Sequence, residues 1–187
     1  MHRLAHAILV GLVGAGIVHI AVLLLVPQFS GQSAWARLAA TSGPYTMTAL
    51  EPETGGAPVV RSVDPLFAAA ACRFDLADGM AHVEGPAGEP AATLPFWSVS
   101  VYDGSGNNIY SFNDHAASKG RLDAVVLTPT QMNEVRKDLP EEYQGSVFIE
   151  APITDGIFVV RAFIPDESWQ PAVTRFLKKS SCEPRQP

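Results

Sequence analysis

From Leu4 to Ala36 the chain carries no Asp, Glu, Lys or Arg. Within that stretch, Ala5–Val26 (AHAILVGLVGAGIVHIAVLLLV) is apolar over the length a helix needs to cross a hydrocarbon core of roughly 30 Å. A helix closes its backbone hydrogen bonds within itself, as lipid requires of a spanning segment. His6 and His19 are its strongly polar side chains, both able to be neutral, and Pro27 ends the run. The competing reading is a cleaved secretory signal, with Ala34-Trp35-Ala36 as an A-x-A site. The apolar run exceeds the roughly 7–15 residues of a signal core, so an uncleaved anchor is the reading taken. Arg3 before the helix and Arg37 after it tilt only slightly toward a cytoplasmic N-terminus. Gly11 and Ala15 make a small-xxx-small pair without a strict GxxxG, which a Gly-tolerant anchor explains equally well. His19 reads either as a partner contact or as a tolerated neutral imidazole.

Both cysteines, Cys72 and Cys182, follow the anchor. Two thiols in an exported domain are expected to pair, and such a bond persists in an oxidising compartment. No CxxC spacing points instead to a reactive dithiol. Setting aside Arg3, 12 of the 13 basic residues stand against 19 acidic ones, a charge of −7 with no Lys/Arg cluster. Nucleic acid needs such a cluster to neutralise phosphates and is excluded as a partner. Hydrophobic residues make up 47% of the chain, enough for a folded core. The 15 Gly and 15 Pro leave little room for long helices beyond the anchor.

Three segments follow: residues 1–28 as the anchor, 29–63 as a juxtamembrane helix (Ala34–Ala40, capped by Ser33) and linker, and 64–187 as a β-rich periplasmic domain. In the linker a short strand is expected at Tyr45–Thr48. In the domain, Asp64-Pro65 opens a helical turn over Leu66–Ala70, and Ala71–Leu76 is a strand. Asp78-Gly79 is a hairpin signal into Ala81–Glu84. Pro95–Asp103 alternates most cleanly, with Trp97, Val99 and Val101 on one face and Phe96, Ser98, Ser100 and Tyr102 on the other. Gly104–Asn107 turns the chain into Ile109–Phe112, and Leu122–Leu127 is a further strand. Thr128-Pro129-Thr130-Gln131 is a capping box with Pro at the first helical position, ahead of a stripe of Met132, Val135 and Leu139. Val147–Glu150 and Ile157–Ile164 are expected to pair around Thr154-Asp155-Gly156. A last helix covers Glu167–Lys178, with Pro171 in its first turn. The fold class expected is mainly β (α+β): an antiparallel β-sandwich of jelly-roll type with two short helices, preceded by one transmembrane helix.

The run PFWSVSVYDGSGNNIYSFND, Pro95–Asp114, resembles the FWS-x-x-VYD-x-x-G-N signature of a bacterial family known as domain of unknown function 1254, and of its companion domain 1214. VPQF at the end of the anchor, DP-x-F…CRFDL at Asp64–Leu76, VVLTP-x-QM at Val125–Met132, SVF-x-EAP at Ser146–Pro152 and W-x-P-x-V at Trp169–Val173 fit the same family. The resemblance implies a β-sandwich domain in an uncharacterised integral membrane protein of the cell envelope. It implies no catalytic residue. Longer members hold both domains in tandem, whereas this chain has room for one.

Asp103-Gly104-Ser105-Gly106-Asn107 spaces oxygens as calcium loops do but lacks the distal Glu; a hairpin turn explains the same residues. Asn113-Asp114-His115 offers His115 as a general base beside Asp114, against a loop of Asx turns. His82 and His115 alone cannot make a three-histidine zinc site. Arg73 and Arg161 are expected to pair with acids such as Asp75 or Glu150, or to line an anionic pocket. The residues proposed for binding are Arg73, Tyr102, Asp103, Asn113, Asp114 and His115. No metal or cofactor is called for. The expected partners are the inner membrane, through residues 5–26, and another envelope protein or a cell-wall component. The expected function is a non-catalytic envelope binding or accessory module, the alternative being a periplasmic hydrolase or carbohydrate-modifying enzyme.

Overall fold

A computed structural model of the chain describes residues 2–29, 34–50, 59, 64–86 and 94–187. Helix α1 spans His2–Phe29 and has no acidic residue in its first turn or basic residue in its last. It is long and apolar enough to cross a membrane, and no part of its apolar window is buried against the rest of the molecule. It is therefore not a core helix of the body. Helix α2, Ala34–Thr41, follows; Ser33, its expected cap, lies outside the described residues.

The body consists of two sheets. Strands β1 (Thr48–Ala49), β2 (Phe67–Asp75), β3 (Met80–Glu84), β4 (Trp97–Asp103) and β5 (Asn108–Asn113) come first. Strand β6 (Asp123–Leu127) and helix α3 (Pro129–Val135) follow, then β7 (Val147–Glu150) and β8 (Asp155–Phe163). Helix α4 (Gln170–Lys179) and β9 (Ser181–Arg185) complete the chain. Sheet A has the order β1-β2-β8-β4-β5 and sheet B the order β7-β6-β3-β9. All pairs are antiparallel except β6–β7, the one departure from the expected antiparallel pairing. Helices α2, α3 and α4 and, among the described residues, three short 3-10 turns make the body α+β. Strand β1 is the edge of sheet A and α2 packs on that sheet, so these described parts of the 29–63 segment lie against the body.

The inner faces of the two sheets share one core. Cys72, Phe74, Trp97, Val99, Val101 and Phe158 of sheet A meet Ala81, Val83, Ala124, Val126 and Ile149 of sheet B, with Val173, Phe176 and Leu177 of α4 closing it. Trp97 and Phe158 are fully buried, and each such large apolar side chain contributes roughly 2–3 kcal/mol by transfer from water. Trp97 and Phe112 stack edge-to-face with centroids 5.9 Å apart. Met80, Val125, Leu127, Met132, Val135 and Tyr143 form a second cluster under α3, outside sheet B. A disulfide joins Cys72 of β2 to Cys182 of β9 and so ties sheet A to sheet B across the core.

Local expectations held where chemistry is local. Thr128 Oγ1 accepts from Gln131 N and Gln131 Oε1 from Thr128 N, completing the capping box with Pro129 in the first turn. The β4–β5 hairpin is as expected, with a bulge between Val101 and Tyr102. The last helix is a 3-10 turn, Glu167–Trp169, continuing into α4, which carries Pro171 in its first turn. Four expectations failed. Residues 67–70 are strand, because pairing with β8 overrides the helical preference of the alanines. Asp78-Gly79 does not close a hairpin: β2 and β3 lie in different sheets. The same holds for the turn before β8, since β7 pairs with β6. Leu139 is 47% exposed, because α3 ends at Val135.

Candidate functional site

The outer face of sheet A carries the row of polar side chains that the alternation of β4 places opposite the core. Direct register sets Ser98 beside Arg161 and Asn113, Ser100 beside Val159 and Ser111, and Tyr102 beside Ile157 and Asn108. Asn108 Nδ2 donates to Ser111 Oγ at 3.0 Å, and that hydroxyl lies 3.1 Å from Ser100 Oγ. Arg161 Nη2 donates to Tyr102 Oη at 3.3 Å. Burial pushes the Tyr102 phenol up, but hydrogen bonds with Ser100 and Asn108 and the Arg161 charge bring it net below its ordinary value.

Helix α2 covers the other half of this face, with Leu38 against Ala71, Ile157 and Val159. Arg73, on the same face of β2, lies over the Trp35 ring at 5.1 Å from the centroid and donates to the Ser42 carbonyl at 3.1 Å. Its role is to fasten α2: the guanidinium meets an aromatic ring and the carbonyl at the helix end. The acid partners expected for the two arginines are elsewhere: Glu150 pairs with Arg136, and Asp75 accepts from Ala77 N.

The remaining sequence-proposed residues sit at opposite ends of the β4–β5 hairpin. At the turn, Asp103 Oδ1 accepts from Ser105 N and Asn107 N at 2.9 and 2.8 Å, and Oδ2 from Asn107 Nδ2 at 2.8 Å. These donors hold the exposed Asp103 carboxyl below the usual carboxylate range. They also occupy it as a turn anchor, with Gly106 supplying a φ of +87°. At the far end, Asn113 Oδ1 accepts from His115 N and Ala116 N in an Asx turn. His115 Nδ1 lies 3.2 Å from the buried Asp114 Oδ1 without hydrogen-bond geometry, and its ring is 82% exposed. The six strand positions of β5 separate these two ends by about 20 Å, so Asp103 and His115 cannot act on the same atom of a substrate. Among the described residues no three His, Cys, Asp or Glu side chains gather to hold a metal ion.

A polar cluster that motif reasoning missed lies on the outer face of sheet B. His82 Nε2 is 3.1 Å from Asp123 Oδ1, and Ser146 Oγ donates to the same oxygen at 2.6 Å. Arg121 Nη2 reaches Glu84 at 3.1 Å and Asp123 Oδ2 at 3.9 Å. The Tyr143 ring stands edge-on to His82 at 5.4 Å. Burial of Asp123 opposes its ionisation, but the hydrogen bonds from His82 and Ser146 and the charges of His82 and Arg121 outweigh it and hold the carboxyl low. The carboxylate stands between serine and histidine, so the three do not form a Ser-His-Asp relay, in which the imidazole bonds the hydroxyl. The cluster pins the Glu141–Tyr143 turn and the start of β7 to sheet B. A His and an Asp at same-face positions of two apolar strands were the available signal.

A two-sheet, disulfide-tied domain behind an apolar N-terminal helix, with its polar side chains spread over two outer faces, defines a β-rich class with no chemistry fixed by fold. The chain belongs to the family described as "Protein of unknown function (DUF1254)", whose model matches residues 46–184. Among solved structures it is similar to the VPA0106 protein from Vibrio parahaemolyticus, with a TM-score of 0.57 at 7% identity over 85% of this chain and 38% of that one. It also matches an uncharacterized protein from Burkholderia cenocepacia, with a TM-score of 0.45 at 13% identity over 76% of this chain and 38% of that one. At 7% identity the first likeness is one of fold alone. This chain spans well under half the length of both proteins. No curated protein matches it.

Proposed function

We propose that this is a single-pass protein of a bacterial inner membrane whose periplasmic domain serves as a non-catalytic binding or accessory module of the cell envelope. One observation carries the reading: the candidate acid, base and anion-binding groups do not converge, while Ser100, Ser111, Asn108, Tyr102 and Arg161 are joined by hydrogen bonds on one sheet face, with Ser98 beside them. Separated groups cannot share the atoms of one reaction. A neutral row of hydroxyls and amides with a phenol and a guanidinium at its side suits reversible recognition of a polar partner. The apolar α1 helix supports the anchor. The Cys72–Cys182 disulfide supports an oxidising compartment for the body.

The test is a crosslinking pull-down of the intact protein from its native membrane, beside a version whose residues 5–26 are replaced by an unrelated anchor. The expected result is one specific partner captured by both. Capture lost with the swapped anchor moves recognition into α1 and counts against the module. Hydrolytic turnover of an envelope polymer by the purified body overturns the non-catalytic reading.

A further inference from the structure

An aromatic group stands beside the polar row on the outer face of sheet A. Ala162 pairs with Ala68 and with Trp97 and is fully buried, so alternation turns the next residues, Phe163, Phe67 and Phe96, to the opposite face. Phe163 N donates to the Phe96 carbonyl at 2.9 Å, so the three stand side by side across β2, β8 and the start of β4. The Phe67 ring centroid lies 5.3 Å from that of Phe163 and 6.4 Å from that of Phe96. All three are half-buried, and none belongs to a core cluster. Arg161, the next outward residue of β8, is exposed and reaches from beside this group to Tyr102 Oη. Among the described residues it makes no ion pair. No acidic side chain faces outward on β4, β5 or β8 between Phe96 and Tyr102.

We infer that this face binds a polysaccharide strand bearing carboxylates. The inference names the partner of the recognition face described above and rests on that reading. The phenylalanines offer ring surface, whose negative quadrupole attracts the C–H groups on the flat side of a sugar. Each hydroxyl and amide of the row both donates and accepts, as sugar hydroxyls do. Ser100, Asn108 and Ser111 are already held by hydrogen bonds among themselves, so binding costs them little side-chain freedom. Arg161 lies between the rings and the row with its charge unmatched, and a carboxylate is the group its planar fork fits. From Phe96 to Tyr102 the face runs about 20 Å along the strand, which several linked sugar rings fill.

The same features disfavour other partners. A nucleic acid strand needs several cations for its phosphates, and the half of the face that α2 leaves open has Arg161 alone. A protein partner needs an apolar centre with a polar rim. Here the apolar group stands at one end of the row and not at its centre.

The test measures binding by the full chain in a detergent without a sugar headgroup. The probes are short oligomers of galacturonate, guluronate and glucuronate, the methyl ester of each, and polyglutamate as a carboxylate polymer without sugar. The expected result is saturable binding of at least one acid oligomer, about tenfold tighter than its ester and than polyglutamate. Arg161→Gln is expected to remove the preference for acid over ester. Phe96→Ala is expected to weaken acid and ester alike, by about fivefold. Misfolding lowers both probes in both variants, so the split between the two belongs to the face. No saturable binding of any oligomer, esters bound as tightly as acids, or polyglutamate bound as tightly as the sugars each overturn the inference. The pull-down described above reads the module separately. A specific protein partner captured without oligomer binding keeps the module and removes the polysaccharide. Oligomers bound but recovered shortened keep the polysaccharide face and remove the non-catalytic reading.

Discussion

Replacing both cysteines by alanine tests the inter-sheet disulfide. The bond joins residues 110 apart. The loop-closure entropy that such a link removes from the unfolded chain is worth roughly 4.8 kcal/mol at 25 °C. A body of about 120 residues unfolds with an entropy near 0.25 kcal/mol/K, so the loss corresponds to a fall in Tm on the order of 15–20 °C. Cys72 and Cys182 are 0% and 5% exposed, so alanine also leaves small voids, whereas reduction of the native protein leaves none. Calorimetry of the native, reduced and Cys72→Ala/Cys182→Ala forms separates the two contributions, and hydrogen exchange follows the amides of β9. The reduced form is expected to lose most of the interval and the double variant slightly more. A fall below about 5 °C with β9 still protected would refute the loop-entropy account. Loss of β9 protection at nearly constant Tm would refute it differently, by showing that the bond retains one edge strand and not the body.

Asp123→Asn is expected to flatten the acid side of the stability curve. Asp123 holds its proton less tightly folded than unfolded, so its contribution is complete above the unfolded value near 4 and is lost as pH falls through the lower folded value. The Tm gap between native protein and D123N should be widest near neutrality and close toward acid; a gap independent of pH rejects this. Gln131→Ala should cost more than Thr128→Ala in chemical denaturation. The threonine loses a cap worth about 1 kcal/mol, while Gln131 also donates from Nε2 to the Leu76 carbonyl at 3.0 Å, tying α3 to the end of β2. Equal costs would show that this tie carries no stability. Gly156→Ala should destabilise by about 1–3 kcal/mol, because the added Cβ would fall 2.4 Å from Phe74 Cζ and 2.6 Å from Tyr102 O. An unchanged denaturation midpoint would mean that β2 and β4 separate freely at this point.

What the sequence made legible was local or strictly periodic. The alternation of Trp97, Val99 and Val101, the Thr128–Gln131 box and the pairing of the two cysteines each rest on a pattern a few residues long or on elimination. What it hid depends on distant partners. A turn such as Asp78-Gly79 looks alike whether the next strand returns beside the last or crosses to the other sheet, because only burial of both faces decides between them. Strand β9 was invisible because Glu183, Pro184 and Arg185 deplete it of strand formers; its pairing with β3 and its disulfide supply what propensity withholds. His82 and Asp123 are 41 positions apart, and Ser146 is 23 further on, so no motif joins them. Arg73 was read toward carboxylates because charge is visible in a sequence, whereas the face of Trp35 and the Ser42 carbonyl appear as its partners only once α2 is docked.

The covalent link between the first long strand and the last also decides how the molecule bears tension. A tug applied between the N-terminal helix and a partner gripping the C-terminus passes from Cys72 directly to Cys182. The 110-position interval between them lies off the line of load and cannot be drawn out while the bond is intact. Only the chain before β2 and the few residues after Cys182 can extend. Pulled between its N-terminal helix and its C-terminus, a domain wired in this way behaves as a coupling of fixed length, and reduction converts it into a long, yielding tether.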